Sequence, residues 1–179
     1  MLTADNTAVV LVDVQGKLAQ MMPERETLFA NLQIMVSGAS VLDLPVFWVE
    51  QNPQKLGGTI AELAALLSDQ RPFTKMTFSC AGAEGFSAAL HDAGRKQLLV
   101  MGIEAHVCVY HTVLDLLAQG YEVEIVEDAI GSRVASNKQV AVRRLCASGA
   151  SLTSTEMALF ELLGSAEHPA FRQVQALLR

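Results

Sequence analysis

Three side chains in this sequence have the chemistry of a nucleophile and its activators, and each stands at the edge of an element. Asp13 closes the apolar run Ala8-Val9-Val10-Leu11-Val12. A carboxylate after five apolar residues needs a partner, because an unpaired buried charge is costly. Cys108 lies in the first turn of a helix that follows the run Gln97-Leu98-Leu99-Val100-Met101. Free backbone N–H groups and the helix dipole at such a start favour a thiolate. Lys75 stands in a loop between Thr74 and Met76. Each has a plain alternative: Asp13 as a helix cap or turn residue, Cys108 as a packed core cysteine, Lys75 as a solvated charge. Position alone leaves both open.

The elements that must hold these residues alternate in type. The run Ala8–Val12 is β-branched and continuous, as in a strand buried on both faces of a parallel sheet. From Glu24 to Leu42, apolar residues recur at Leu28, Leu32, Met35, Ala39 and Leu42, which is helical spacing. Pro45 opens a second strand, Val46–Val49, and Glu50–Gly58 reads as loop. Thr59-x-x-Glu62 has the form of a capping box for a helix through Leu67. Ser68–Gly82 is irregular. A helix from Ala83 to Asp92, the strand Gln97–Met101 and a helix from His106 to Gln119 follow.

Tyr121, Val123 and Ile125 alternate with Glu122 and Glu124, which predicts a strand near a sheet edge. Ser136-x-x-Gln139 and Thr153-x-x-Glu156 each have the pattern of a helix cap, on either side of a short strand Ala150–Thr153. A terminal amphipathic segment carries Phe171, Val174 and Leu178. Five alternations without a linker or repeat predict a single domain over 1–179. Its class is α/β, a three-layer sandwich around a mostly parallel, doubly wound, Rossmann-like sheet. Ligands in such sheets sit beyond the carboxyl ends of the strands.

Composition narrows the function classes. The 179 residues are 51% hydrophobic and 18% charged, which excludes a disordered or fibrous chain. A net charge of −6 lacks the basic footprint of a nucleic-acid binder and suits an anionic membrane poorly. The N-terminus has no basic leader and no apolar run of signal-peptide length, so a cytoplasmic protein is expected. Cys80, Cys108 and Cys146 are odd in number and widely spaced, which reads as free thiols. There is no G-x-G-x-x-G after the first strand, no phosphate-binding G-x-x-x-x-G-K-[ST] and no G-x-S-x-G elbow.

The words around the three residues narrow it further. Val12-Asp13-Val14-Gln15, Gly102-Ile103-Glu104-Ala105-His106-Val107-Cys108-Val109, Thr112, Gly120-Tyr121-Glu122-Val123 and Asp128-Ala129 together resemble the isochorismatase-like family of cysteine hydrolases. The resemblance runs from Ala8 to Thr153-Ser154-Thr155-Glu156. Glu50-Gln51-Asn52-Pro53, Lys55-Leu56-Gly57-Gly58-Thr59 and His168-Pro169-x-Phe171 resemble its small isochorismatase-domain subgroup.

That resemblance implies an Asp–Lys–Cys triad of Asp13, Lys75 and Cys108. A free thiol is mostly protonated at neutral pH, so it needs a base or a nearby cation. Asp13 would take the thiol proton and later return it to a leaving group. Lys75 would hold Asp13 ionised and favour the thiolate. The family's oxyanion donors correspond to the backbone N–H groups of Glu104 and Cys108, the first presented by a cis peptide at Ile103–Glu104. Family nicotinamidases carry an Asp-x-His metal motif where this chain has Glu50-Gln51-Asn52, so no catalytic metal and no cofactor are expected. The resemblance also implies a small-molecule substrate and a homo-oligomer.

Other residues carry weaker expectations. Gln15 orients a ligand or satisfies loop backbone. Gln51 and Phe78 flank the crevice as substrate contacts, and Trp48 stands beside them or belongs to the core. His106 faces the pocket mouth or is an exposed helix-start residue. His111 is spaced to form a rival dyad with Cys108. Arg71 and Arg133 are candidates for a substrate carboxylate. The function these signs favour is hydrolysis of a small amide, ureido or related C–N bond through a thioester. The alternatives are a peroxide-reactive redox thiol, for which no resolving cysteine lies nearby in sequence, and a non-catalytic binding or assembly module.

Overall fold

In the computed structural model, which describes residues 1–179, the first apolar run forms strand β1 (Thr7–Val12), buried along its whole length. After helices α1 (Gly16–Gln20) and α2 (Arg25–Val41) come β2 (Val46–Gln51), α3 (Pro53–Leu56), α4 (Ala61–Leu66) and β3 (Phe73–Lys75). A 3-10 turn at Cys80–Gly82 leads into α5 (Phe86–Asp92) and β4 (Gln97–Ile103). A π-helical turn, Ala105–Val109, precedes α6 (Tyr110–Ala118). β5 (Glu122–Gly131), α7 (Ala135–Ala147), β6 (Ser151–Thr153), α8 (Thr155–Leu163) and α9 (Phe171–Leu177) complete the chain.

The six strands make one sheet in the order β3-β2-β1-β4-β5-β6, with every neighbouring pair parallel. Alternate residues of β1 feed two separate cores. Val9 and Leu11 pack with Leu32, Met35, Leu63 and Leu159 from α2, α4 and α8 on one face. Ala8, Val10 and Val12 pack with Phe86, Leu90, Val113 and Leu145 from α5, α6 and α7 on the other. This is the three-layer α/β arrangement read from the alternation of elements.

The strand order reverses direction between β1 and β4. From β1 the chain builds outward to β2 and β3, then returns to add β4, β5 and β6 on the opposite side. The helices covering the two halves lie on opposite faces there, which opens a crevice beyond the carboxyl ends of the two strands. Asp13 follows β1 and Glu104 follows β4, so both open onto it. Gly102 makes the approach possible. Its φ is +119°, and a Cβ there would run into the Val12 carbonyl.

Several local expectations are corrected. Ser68–Gly82 is not irregular throughout, since Phe73–Lys75 pairs with Val49–Gln51 as an edge strand. β5 is not itself the edge. It lies one strand in from the edge, as the alternation of Glu122 and Glu124 with apolar residues predicts, with the short β6 beside Glu124–Val126. Thr59 does not cap α4. Its hydroxyl donates to Glu50 Oε1 at 2.8 Å and accepts from Trp48 Nε1 at 2.7 Å, which leaves Ile60 before the helix. Ser136 does not cap α7, which starts at Ala135 after Val134, two residues earlier than a Ser136 cap implies. At α8 the cap is Ser154 rather than Thr153, with Ser154 Oγ accepting from Met157 N. At these helix starts a tertiary contact or a shift of one or two residues in chain path overrode the local pattern.

Candidate active site

Asp13 has a positive φ of +51°, a conformation that Asp tolerates better than most side chains. The turn places its carboxylate at the crevice, where it is buried. Lys75 arrives from the opposite direction. The parallel register of β2 and β3 sets Lys75 beside Gln51. The ammonium, 0% exposed, meets Asp13 Oδ2 at 2.7 Å. It also donates to Gln51 Oε1 at 2.7 Å and to the Thr77 carbonyl at 3.2 Å. All three of its N–H groups are therefore engaged.

Asp13 Oδ1 is left buried and without a hydrogen-bond partner. Burial pushes the Asp13 carboxyl above its usual range, although Lys75 pulls the other way. Cys108 lies in the same pocket, within the π-helical turn. Its sulfur contacts Gln51 Oε1 at 3.9 Å. Burial, and after it the negative charge of Asp13, push the Cys108 thiol well above the ordinary cysteine range. The thiolate-favouring setting expected at a helix start is thus not what the geometry gives. Desolvation and a neighbouring carboxylate outweigh Lys75, and the stable form of Cys108 is the protonated thiol.

The pocket measures about 170 Å³ and is lined by Asp13, Leu18, Gln51, Leu56, Phe78, Ile103, Glu104, Val107 and Cys108. The Ile103–Glu104 peptide is cis. The Glu104 N–H donates to no group of the chain. The Glu104 carboxylate turns away and is clamped by Arg133, whose backbone N–H donates to Oε2 at 2.9 Å and whose Nη2 lies 3.1 Å from Oε1. Burial alone would raise the Glu104 carboxyl, but the bonds from Arg133 outweigh it and hold it below the ordinary value.

This clamp has a signed pH dependence. A carboxylate depressed in the folded state stabilises above its unfolded value, here near 4.5, and that contribution fades as pH falls through the folded value. Arg133→Ala is therefore expected to lower stability at neutral pH and to lose most of that deficit in acid. Denaturant midpoints at about pH 7 and about pH 3 measure the two deficits. Equal deficits at both would mean that Arg133 contributes something other than this ion pair.

The remaining expectations divide. Gln51 and Phe78 do line the pocket. Gln15 does not, because both ends of its amide hold backbone, at the end of β2 and at Gly57. Nε2 donates to the carbonyls of Gln51 (3.0 Å) and Gly57 (2.7 Å), and Oε1 accepts from Gln51 N. His106 is turned from the pocket toward Ser132 Oγ at 2.9 Å and Asn137. His111 bonds its own helix at the Val107 carbonyl and stacks near Phe78, so it makes no dyad with Cys108. Arg133 is engaged by Glu104, and Arg71 lines a different groove beside Pro45 and Phe73. Trp48 belongs to the core.

Cys80 is fully buried in the same apolar cluster as Cys108, and burial pushes its thiol up to about 12. Sequence reading missed Leu18, Leu56 and Val107 as pocket walls, and Glu50 as the residue holding Thr59. Nothing in their local sequence distinguishes these side chains from ordinary core or loop residues.

Comparison with known proteins agrees with this fold. The isochorismatase domain model matches residues 7–157. The secreted isochorismatase effector Isc1 of Phytophthora sojae is 35% identical over 178 residues, covering 97% of this chain and 85% of its own. Among solved structures, the MAR1 ribonuclease from Caenorhabditis elegans superposes with a TM-score of 0.93 at 31% identity, covering 99% of this chain and 91% of that one. YcaC from Pseudomonas aeruginosa, solved with hexane-2,5-diol and covalent acrylamide, gives a TM-score of 0.92 at 25% identity, covering 99% and 89%.

Proposed function

Because the chain belongs to the isochorismatase family, we propose that it is a cysteine-dependent hydrolase of a small amide, ureido or related C–N substrate. Cys108 is the nucleophile, Asp13 the general base and acid, and Lys75 the cation that positions Asp13. The observation that carries this reading is the divided use of one carboxylate. Oδ2 is fixed by Lys75 at 2.7 Å, while Oδ1 is buried and unpartnered in the pocket that holds the Cys108 thiol.

The chemistry follows from that division. As the substrate carbonyl approaches, Asp13 takes the proton from Cys108 and the sulfur attacks the carbonyl carbon. A thiol with a raised pKa is activated only at that moment, which avoids holding a bare thiolate in an apolar pocket. The tetrahedral oxyanion is received by the N–H groups of Glu104 and Cys108. Asp13 gives its proton to the departing nitrogen, and the amine leaves behind a thioester. Water then attacks the thioester, giving one proton to Asp13, which returns it to the sulfur as the acid product departs. The sum is amide plus water to carboxylic acid plus amine. The covalent acrylamide on the Pseudomonas relative supports a nucleophile in this fold that a small electrophile can reach, since acrylamide alkylates at its vinyl carbon.

Trapping by intact mass spectrometry tests the proposal. Brief incubation with a library of small amides and activated esters is expected to add an acyl mass on Cys108 that water removes. Cys108→Ala is expected to abolish the adduct and the turnover. Acylation at Cys146 alone, or none, would overturn it. A redox thiol would instead show a Cys80–Cys108 disulfide after mild peroxide, and the raised Cys80 thiol counts against that. Three free cysteines suit a reducing compartment, and we place the chain in the cytoplasm as a homo-oligomer. Localisation of a tagged chain and light scattering test the two assignments.

A further inference from the structure

The walls of the candidate pocket restrict what it can take, and this inference rests on the hydrolase reading above. Leu18, Leu56, Phe78, Ile103 and Val107 make most of the lining. No free cation faces it. The three donors of Lys75 go to Asp13, Gln51 and Thr77. The Arg133 fork is held by Glu104, outside the lining. The pocket's one buried, unpartnered polar side-chain atom is Asp13 Oδ1, itself part of a carboxylate.

Size sets a second limit. A volume of about 170 Å³ has room for roughly six non-hydrogen atoms, at about 30 Å³ for each water-sized group. Pockets for drug-sized ligands run from roughly 300 to 1,000 Å³. A carboxylate or phosphate drawn into this space would lose its water, find no cation and lie against Asp13. The chain's net charge of −6 opposes anions at longer range as well.

We propose that the site accepts short, electrically neutral acyl groups of about six non-hydrogen atoms and rejects anionic substrates, dicarboxylates and RNA among them. The rejection of RNA separates this chain from what the name of its Caenorhabditis structural relative would suggest.

Two alkylating reagents of nearly equal size test this directly, because iodoacetamide is neutral and iodoacetate is an anion. With the native protein, the rate of each at Cys108 is read by peptide mass spectrometry. The exposed Cys146 in the same sample serves as reference. The iodoacetamide-to-iodoacetate ratio is expected to be at least about tenfold larger at Cys108 than at Cys146. Leu56→Arg, which sets a cation on the half-buried pocket wall, is expected to bring the Cys108 ratio down toward that of Cys146.

Equal ratios at the two cysteines in the native protein would overturn the proposal. So would protection of Cys108 by a single-stranded oligoribonucleotide. A Cys108 that neither reagent modifies, while Cys146 reacts, has a different meaning: the nucleophile assignment itself fails, and the substrate class falls with it.

Discussion

Asp13→Asn is expected to make Cys108 a more acidic thiol and at the same time to cut turnover by roughly 10²–10⁴-fold. The two effects point in opposite directions for a simple reason. After burial, the negative charge of Asp13 is the strongest influence raising the Cys108 thiol. Asparagine removes that charge and leaves Lys75 as the neighbouring cation. The midpoint of the alkylation rate against pH therefore moves down. Yet the asparagine amide cannot accept the thiol proton or hand it to a leaving amine, so a better thiolate becomes a worse catalyst. An alkylation midpoint that stays put, or rises, would show that the Asp13 charge does not reach Cys108. A variant retaining full turnover would remove Asp13 from the chemistry.

The second large effect concerns stability. Lys75 and Asp13 form a buried ion pair with side chains 0% and 2% exposed. Removing one member leaves the other without compensation, which typically costs about 3–5 kcal/mol. Lys75→Met is expected to destabilise by that order at neutral pH. Asp13→Asn combined with Lys75→Met is expected to recover much of that loss, because no uncompensated charge is left buried, while remaining inactive.

The sign with pH is set by Asp13. Its carboxyl is already raised in the folded state by burial. The ionised form therefore works against folding, and that handicap is relieved as pH falls through the folded value toward 3.8. Loss of Lys75 enlarges the handicap, so the deficit of Lys75→Met shrinks in acid. Urea midpoints of the native protein, the single variant and the double variant at neutral and acid pH measure all of this. A double variant as unstable as Lys75→Met would show that the bonds from Lys75 to Gln51 and Thr77, rather than its charge, hold the loop.

Both predictions express one design. A polar pair that costs stability is kept in an apolar crevice, where its charge has the greatest effect on a neighbouring thiol. Gln15 and Glu50 support that crevice from behind by holding the loop backbone around Gly57 and Thr59. Their substitution should loosen the pocket wall formed by Leu56.

Strands β1, β2 and β4 and their burial are legible in the amino-acid order, because an apolar run with no polar face can only sit inside a covered sheet. The same order determined that Asp13 ends β1 and that Cys108 follows β4, since both facts are properties of immediate chain neighbours. The resemblance carried by the words around them selected the same residues. The tertiary structure alone decided the rest. The strand holding Lys75 is three residues long and has no apolar pattern. It exists because Val49–Gln51 offers it a partner, and the register of that pairing brings Lys75 to Asp13 across 62 positions of sequence. Gln15 and His106 were ambiguous for the same reason, as hydrogen-bond partners lying 26 to 42 residues away settle which way they turn. The protonation of Cys108 is the clearest case. A helix start and a nearby lysine argue for a thiolate, but desolvation depends on everything packed around the sulfur, and only the folded chain assembles that surrounding.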